Sequence, residues 1–251
     1  MRYAKDSSVK IILLGAGGTG GYIAPHLYRI AYALDRDVRI IIADGDCVEK
    51  KNLVRQNFAF SDIGENKAKI LAERYSAVFG IQTEYIPDYI ENEEMLKNLV
   101  KSEENRNCYG HYSIEQVILI GAVDNNRSRQ MCHKVFCDSR DLIYIDSGNG
   151  EYTGQVVCGI RRNGKTSSKP IGSVYEDILA DEEKFPTELS CAERSVSAPQ
   201  SIAANLFAST AVVSVLYNLL VLGNLEVKTL TFSSKTLNMK SIIKKKRGKV
   251  A

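Results

Sequence analysis

The chain of 251 residues predicts an α/β fold, with a parallel sheet covered on both faces in its first half and a more antiparallel second half. Three observations predict it. A β-branched and leucine run, Lys10–Leu14, passes directly into Gly15-Ala-Gly-Gly-Thr-Gly-Gly21 and then a helical pattern reaching about Ala33. Two further apolar runs, Val38–Ala43 and Val117–Val123, end on the polar turns Asp44-Gly-Asp46 and Asp124-Asn-Asn126. Strands that are apolar along nearly their whole length are buried on both faces, which is the environment of parallel strands alternating with helices.

The remaining elements follow in order. Asn66–Phe79 reads as a helix carrying Lys67, Lys69 and Arg74, and the polar stretch Leu99–Ser113 as a loop or insertion. Leu142–Ile145 is a strand that stops before Asp146-Ser-Gly-Asn-Gly150, and Thr153–Ile160 is another. Arg161–Lys169 is a polar turn, and Thr166–Cys191 is the segment expected to be a mobile crossover. Ser201–Leu222 is a long apolar helix, and Val227–Phe232 alternates as a final strand.

Composition narrows the class. With 44% hydrophobic and 25% charged residues the chain matches an ordinary folded protein, which excludes intrinsic disorder and fibrous repeats. Its net charge of +3 resides in the basic tail 240–251; without the six basic residues there the body carries −3. That pattern reads as a solvated terminus, so nucleic-acid binding is not expected. Six cysteines without a CxxC pair read as reduced thiols of a cytoplasmic protein, and Met1–Lys10 lacks a signal peptide's apolar stretch. The uncharged stretch Ser195–Leu225 is long enough for a membrane span, but Asn205, Ser209, Thr210, Ser214 and Asn218 interrupt it. It is expected instead as a buried or dimer-interface helix, with no membrane contact.

Gly15-x-Gly17-x-x-Gly20 between strand and helix lets phosphate approach backbone amides at a helix N-terminus, so a nucleotide is the expected ligand. One reading is a dinucleotide, with Asp44 on a ribose hydroxyl and an oxidoreductase function. The other is a triphosphate. Asp44, Asp46, Asn52, Arg55, Gln56 and Lys67 set two carboxylates and two cations just past the second strand, where a nicotinamide needs an apolar slot. Arginine and lysine suit β- and γ-phosphates, and Asp124 at another strand end suits the accompanying Mg²⁺.

On these residues, together with Asn52-Leu-Val-Arg-Gln56, Ile63-Gly-Glu-Asn-Lys-Ala68 and Asp124-Asn-Asn-Arg-Ser-Arg129, the sequence resembles the ThiF/MoeB/ubiquitin-activating superfamily. Gly148-Asn-Gly-Glu-Tyr-Thr-Gly-Gln155 and Ser190-Cys-Ala-Glu193 make it similar to the ThiF-related proteins of PRTRC cassettes in particular. The resemblance implies a Rossmann-like ThiF-type fold in which the parallel half is extended by antiparallel strands into one eight-stranded mixed sheet. It implies one adenylation domain over 1–239, with a nucleotide-binding half at about 9–147 and an acceptor half at about 148–239. It also implies a homodimer that uses ATP and Mg²⁺ to adenylate the C-terminal glycine of a small ubiquitin-like, β-grasp protein.

Carried over by residue, Gly15, Gly17, Gly18 and Gly20 form the nucleotide loop and Asp44 meets the ribose. Asn52, Arg55, Gln56 and Lys67 hold phosphates, and Asp124 holds Mg²⁺ and takes part in catalysis. Asn125 falls on the adenine side and Arg129 in a supporting ion pair. Cys191, in the crossover beside Arg194, is the thiol that would accept the acyl group or join sulfur transfer. The alternative reading of Cys191 is a buried small hydrophobe; Cys47, Cys132, Cys137 and Cys158 are read as packing residues, and His26, His111 and His133 as structural.

Two departures stand out: the paired CxxC motifs of a structural zinc are missing, so no zinc is expected, and Arg2-Tyr3 begins much closer to the glycine loop than the family's pattern of an arginine acting in trans, which leaves that role open. Three functions stay open. They are an adenylyltransferase, an NAD-dependent oxidoreductase and a non-catalytic nucleotide-binding scaffold.

Overall fold

The computed structural model describes residues 7–106, 112–188 and 200–242. Strand β1 (Val9–Leu14) is buried at every position and leads through the glycine turn into helix α1 (Gly18–Ala33). Then come β2 (Val38–Ala43), α2 (Lys67–Phe79), β3 (Gln82–Ile86) and α3 (Glu93–Leu99). The middle holds β4 (Glu104–Arg106), β5 (Tyr112–Ile114), β6 (Gln116–Gly121), α4 (Asn126–Asp138) and β7 (Leu142–Asn149). The chain continues with β8 (Thr153–Arg162), β9 (Lys165–Ser168) and α5 (Asp177–Ala180). Helix α6 (Ile202–Leu220) and the hairpin β10 (Thr229–Ser233) and β11 (Asn238–Ser241) complete it.

One nine-stranded sheet runs β11-β10-β8-β7-β6-β1-β2-β3, with β9 attached to β8. The pairs β1–β2, β1–β6, β2–β3 and β6–β7 are parallel; β7–β8, β8–β10, β8–β9 and β10–β11 are antiparallel. The mixed ThiF-type architecture expected from the sequence is therefore present, with nine strands rather than eight. The ninth arises because β8 is long enough to pair with β10 over Thr153–Val157 and with β9 over Ile160–Arg162 on the same edge.

Alternation along the central strands separates two cores. Val9, Ile11 and Leu13 pack with α1, α2 and α6 on one face, while Ile12 and Leu14 pack with α3 and α4 on the other. β1 pairs with β2 on one side and β6 on the other, so the chain leaves β1 in both directions. Such a switch point opens a crevice at the C-terminal strand ends, where α/β sheets bind ligands.

Several boundaries differ from expectation. β6 ends at Gly121, before Val123, whereas β7 continues through Asp146 to Asn149 because β8 pairs with it over that whole length. The polar turn at 161–169 is the tip of a hairpin, whose Asn163 and Gly164 both have positive φ, the backbone of a tight two-residue turn. β9 follows within the stretch read as crossover. Part of the expected 99–113 loop is the two-stranded β4–β5 sheet. Lys240, assigned to the basic tail, pairs with Thr231 in β11. Helix α6 is long and apolar enough to cross a membrane, yet half of that window is buried inside the protein. Its Ala204, Ala208, Ala211, Val212 and Val215 belong to the core shared with α1.

Candidate functional site

The crevice begins at Gly15, whose φ of +88° turns the chain out of β1. A Cβ at Gly15 would lie 2.5 Å from the Ala122 carbonyl oxygen, and one at Gly20 would lie 1.9 Å from the Gly15 oxygen. These two glycines let loop, β6 and helix touch. Gly18 is equally confined, since its Cβ would fall 2.3 Å from the Asn205 side chain. Gly17 differs: the nearest atom to its Cβ position is Gln56 Nε2 at 3.8 Å. A Cβ at Gly17 would therefore meet no close neighbour, and the backbone there is open to the approach of a ligand. Gln56 is 6% exposed, and its Oε1 is buried with no hydrogen-bond partner.

Asp44, buried at the end of β2, ties the loop to the neighbouring turn. Its Oδ2 accepts from Ala16 N at 2.6 Å and its Oδ1 from Asp46 N at 2.8 Å. Burial pushes its carboxyl up to about 6, against the opposing pull of the Lys67 ammonium. The Lys67 Nζ, almost wholly buried, lies 2.7 Å from Asp46 Oδ2. Burial acts to raise the Asp46 carboxyl as well, but the Lys67 charge and hydrogen bonds from Lys67 and Tyr89 outweigh it and hold it below the usual carboxylate range. Gly45 makes room for that tyrosine, whose ring would otherwise meet a Cβ at 2.5 Å. Asn66 caps α2 through Lys69 N and donates to the Asp44 and Asp46 carbonyls, which fixes Lys67 at the rim.

Asn52 is buried, and its Oδ1 accepts from Glu49 N to close the 3₁₀ turn Lys50–Val54, which leaves its amide hydrogens for another partner. Arg55 follows this turn; its Nη1 donates to Gln200 Oε1 at 2.8 Å and its carbonyl accepts from Asn205 Nδ2 at 3.2 Å. Asn205, fully buried in α6, also accepts from Asn149 Nδ2 at 2.9 Å, and Asn149 Oδ1 in turn accepts from the Thr19 hydroxyl at 3.0 Å. One asparagine thus joins α6, the end of β7, the start of α1 and the Arg55 segment.

Asp124 lies exposed in the turn after β6. Asn125 is buried, and its Oδ1 caps α4 by accepting from Ser128 N at 2.8 Å, so its oxygen is committed to the helix. Arg129 has the ion pair expected of it, with Asp146 at 3.6 Å. The sequence-predicted residues Gly15, Gly17, Gly18, Gly20, Asp44, Asp46, Asn52, Arg55, Gln56, Lys67, Asp124 and Asn125 all belong to turns or helix starts following β1, β2 and β6. Asp46 and Lys67 touch directly. The hydrogen bonds of Arg55 run to α6 and Gln200 rather than to Lys67 or Asp124.

Cys191 lies outside the described residues, as do Arg194, Arg2, Tyr3 and His111. Of the cysteines expected to be packing residues, Cys132 and Cys158 are buried, but Cys47 and Cys137 are exposed. Cys47 is exposed because it follows the Asp44–Asp46 turn at the rim, and Cys137 because it faces out from the last turn of α4. His26, expected to be structural, is exposed on α1. No cluster of three or more metal-ligating side chains exists among the described residues. A lone carboxylate at Asp124 matches a Mg²⁺ ion held chiefly by substrate phosphates and water rather than by a protein cage. Asn66, Asn149, Tyr89 and Asp146 escaped sequence reasoning as site residues, although Asn66 and Asn149 lie inside motifs already noted.

The model of the ThiF family matches residues 3–249. No curated protein matches the chain. Among solved structures, PaaA superposes with a TM-score of 0.64 at 19% identity, over 95% of this chain and 64% of that one. Escherichia coli MccB with ATP gives 0.63 at 17% identity, over 95% and 64%. The microcin C7 biosynthetic enzyme MccB in complex with N-formylated MccA gives 0.63 at 18%, over 94% and 64%. The chain therefore spans a little under two thirds of the length of these proteins, and the likeness is one of fold.

Proposed function

The chain belongs to the ThiF family, and from that premise we propose that it is an ATP-dependent adenylyltransferase that activates the C-terminal carboxylate of a small protein or peptide. The observation that carries this reading is the open backbone at Gly17 on a rim that also bears Lys67, Arg55 and Asp124. An oxidoreductase would need an apolar slot on that rim for the nicotinamide. MccB has been solved with ATP, and separately with AMPCPP and MccA, which supports a fold that takes a nucleotide triphosphate together with a protein or peptide substrate.

In the proposed reaction a carboxylate oxygen attacks the α-phosphorus, the bond to the bridging oxygen breaks, and pyrophosphate leaves with that bond's electron pair. No proton transfer is required. The residues position and neutralise. The amides of the glycine turn lie against phosphate, the remaining lone pairs of Asp44 accept ribose hydroxyls, and the Asn52 and Gln56 side chains border the phosphates. Lys67 exchanges part of its contact with Asp46 for phosphate oxygens, and Arg55 supplies the second cation. Asp124 would hold the Mg²⁺ that offsets charge on the departing pyrophosphate. The family resemblance supports the finer details: a β-grasp partner ending in glycine, a homodimer, and transfer of the acyl group to the Cys191 thiolate with release of AMP.

The test is exchange of radiolabelled pyrophosphate into ATP, measured with a panel of glycine-ended β-grasp proteins and short peptides bearing free C-termini. The wild type should exchange with at least one of them. Asp124→Ala should lower that rate by about 100-fold or more, the scale of losing a transition-state electrostatic contact. Exchange unaffected by Asp124→Ala contradicts the assignment.

A further inference from the structure

Behind the exposed Asp124 turn lies a buried charged network that the proposed reaction does not use directly. Asp146 has no solvent exposure and pairs in the sheet with Gly121, the last residue of β6. Its Oδ2 accepts a hydrogen bond from the Tyr144 hydroxyl at 2.7 Å. Its Oδ1 faces Arg129 Nε at 3.6 Å, and neither of those two atoms has a hydrogen-bond partner. The other guanidinium nitrogens reach outward: Nη2 donates to the Val123 carbonyl at 2.7 Å and Nη1 to Asn126 Oδ1 at 2.9 Å. Those acceptors bracket Asp124, one residue before it and two after.

An ion pair of this kind is costly to bury, and an apolar set of similar volume serves stability as well or better. The surroundings would suit such a set, since Cys132, Phe136 and Tyr144 belong to the apolar cluster under α4. The backbone instead makes room for the polar groups. A Cβ at Gly121 would lie 3.3 Å from the Tyr144 oxygen and 3.4 Å from Asp146 Oδ2, and one at Gly148 would lie 3.1 Å from Arg129 Nη2. A guanidinium is a rigid planar fork, so the Asp146 charge on its inner side and the two hydrogen bonds on its outer side orient it as one piece.

We infer that Tyr144, Asp146 and Arg129 are positioning residues, which hold the turn after β6 so that the Asp124 carboxylate is presented to the divalent cation of the bound nucleotide. This rests on the nucleotide reading above. Groups that orient a metal ligand without touching the metal commonly carry 10–100-fold of its affinity.

The test is calorimetric titration of the full chain with ATP, once in Mg²⁺ and once in EDTA, with the ratio of the two affinities as the readout. The wild type should bind more tightly in Mg²⁺, and Asp124→Ala should remove that gain. Asp146→Asn and Arg129→Lys should reduce the gain by about 10-fold while changing affinity in EDTA far less. Tyr144→Phe keeps the ring, removes one hydroxyl, and should move the ratio in the same direction without loss of native circular dichroism. A purely structural network would lower the melting temperature and leave the ratio alone. Wild-type ratios in folded Tyr144→Phe and Asp146→Asn overturn the inference and leave the nucleotide reading intact; should Asp146→Asn not fold, Tyr144→Phe decides alone. A wild-type chain that binds ATP equally in Mg²⁺ and EDTA also overturns the inference, and one that binds no ATP overturns the nucleotide reading with it.

Discussion

Asp44 commits both carboxylate oxygens to backbone N–H groups, one on the glycine turn and one on its own turn. Burial raises its carboxyl to about 6, above the value it has in an unfolded chain. The native state therefore binds that proton more tightly, and protonation of this group favours the fold. Its contribution grows as pH falls through about 6 and is complete below the unfolded value near 3.8. Asp46 has the opposite sign: its carboxyl is depressed, so its contribution is present above the unfolded value and is lost only in stronger acid. Between pH 7 and pH 5 the wild type should gain about 1 kcal/mol relative to Asp44→Asn. Urea denaturation of both proteins at both pH values measures this, and the comparison cancels the titration of histidines. A gap that does not change with pH contradicts the assignment.

The strand–turn–helix unit at Gly15–Ala33 makes its own prediction, because its glycines serve different ends. Gly20→Ala places a Cβ against the Gly15 oxygen and should destabilise the fold by about 1–3 kcal/mol, read as a lowered denaturation midpoint. Gly17→Ala meets nothing closer than 3.8 Å, so its midpoint should match the wild type while ATP affinity falls about 10-fold or more through lost approach to the backbone. Equal effects of the two substitutions on stability and binding would contradict that division. This unit was legible because the glycine spacing and the apolar runs are local signals. The clamp made by Asn205 was not. It joins the Arg55 carbonyl, 150 positions away, to Asn149, 56 positions away, and only the packing of α6 across the sheet brings them together. The same holds for Asp146. A carboxylate after Leu142–Ile145 reads locally as a strand end, and the cation that faces it when buried, Arg129, comes from another element.

At the scale of the molecule, the parallel half could be read because β1, β2 and β6 are each paired on both sides within the sheet and are apolar along most of their length. The edges were harder. β3 and β11 carry mostly exposed side chains and so lack the apolar signature of a strand, and α4 hides its buried face behind Ser128 and Arg129. The switch point at β1 then gathers the turns of β1, β2 and β6 at one rim, and the central claim is that this rim holds a triphosphate. Calorimetric titration of the full chain with ATP and with NAD⁺ in Mg²⁺, for wild type, Arg55→Ala and Lys67→Ala, tests it most directly. The account predicts binding of ATP and not NAD⁺, with each substitution weakening ATP by about 10-fold or more, the scale of one charge-assisted contact. NAD⁺ bound in place of ATP, or ATP affinity unmoved by both substitutions, would contradict it.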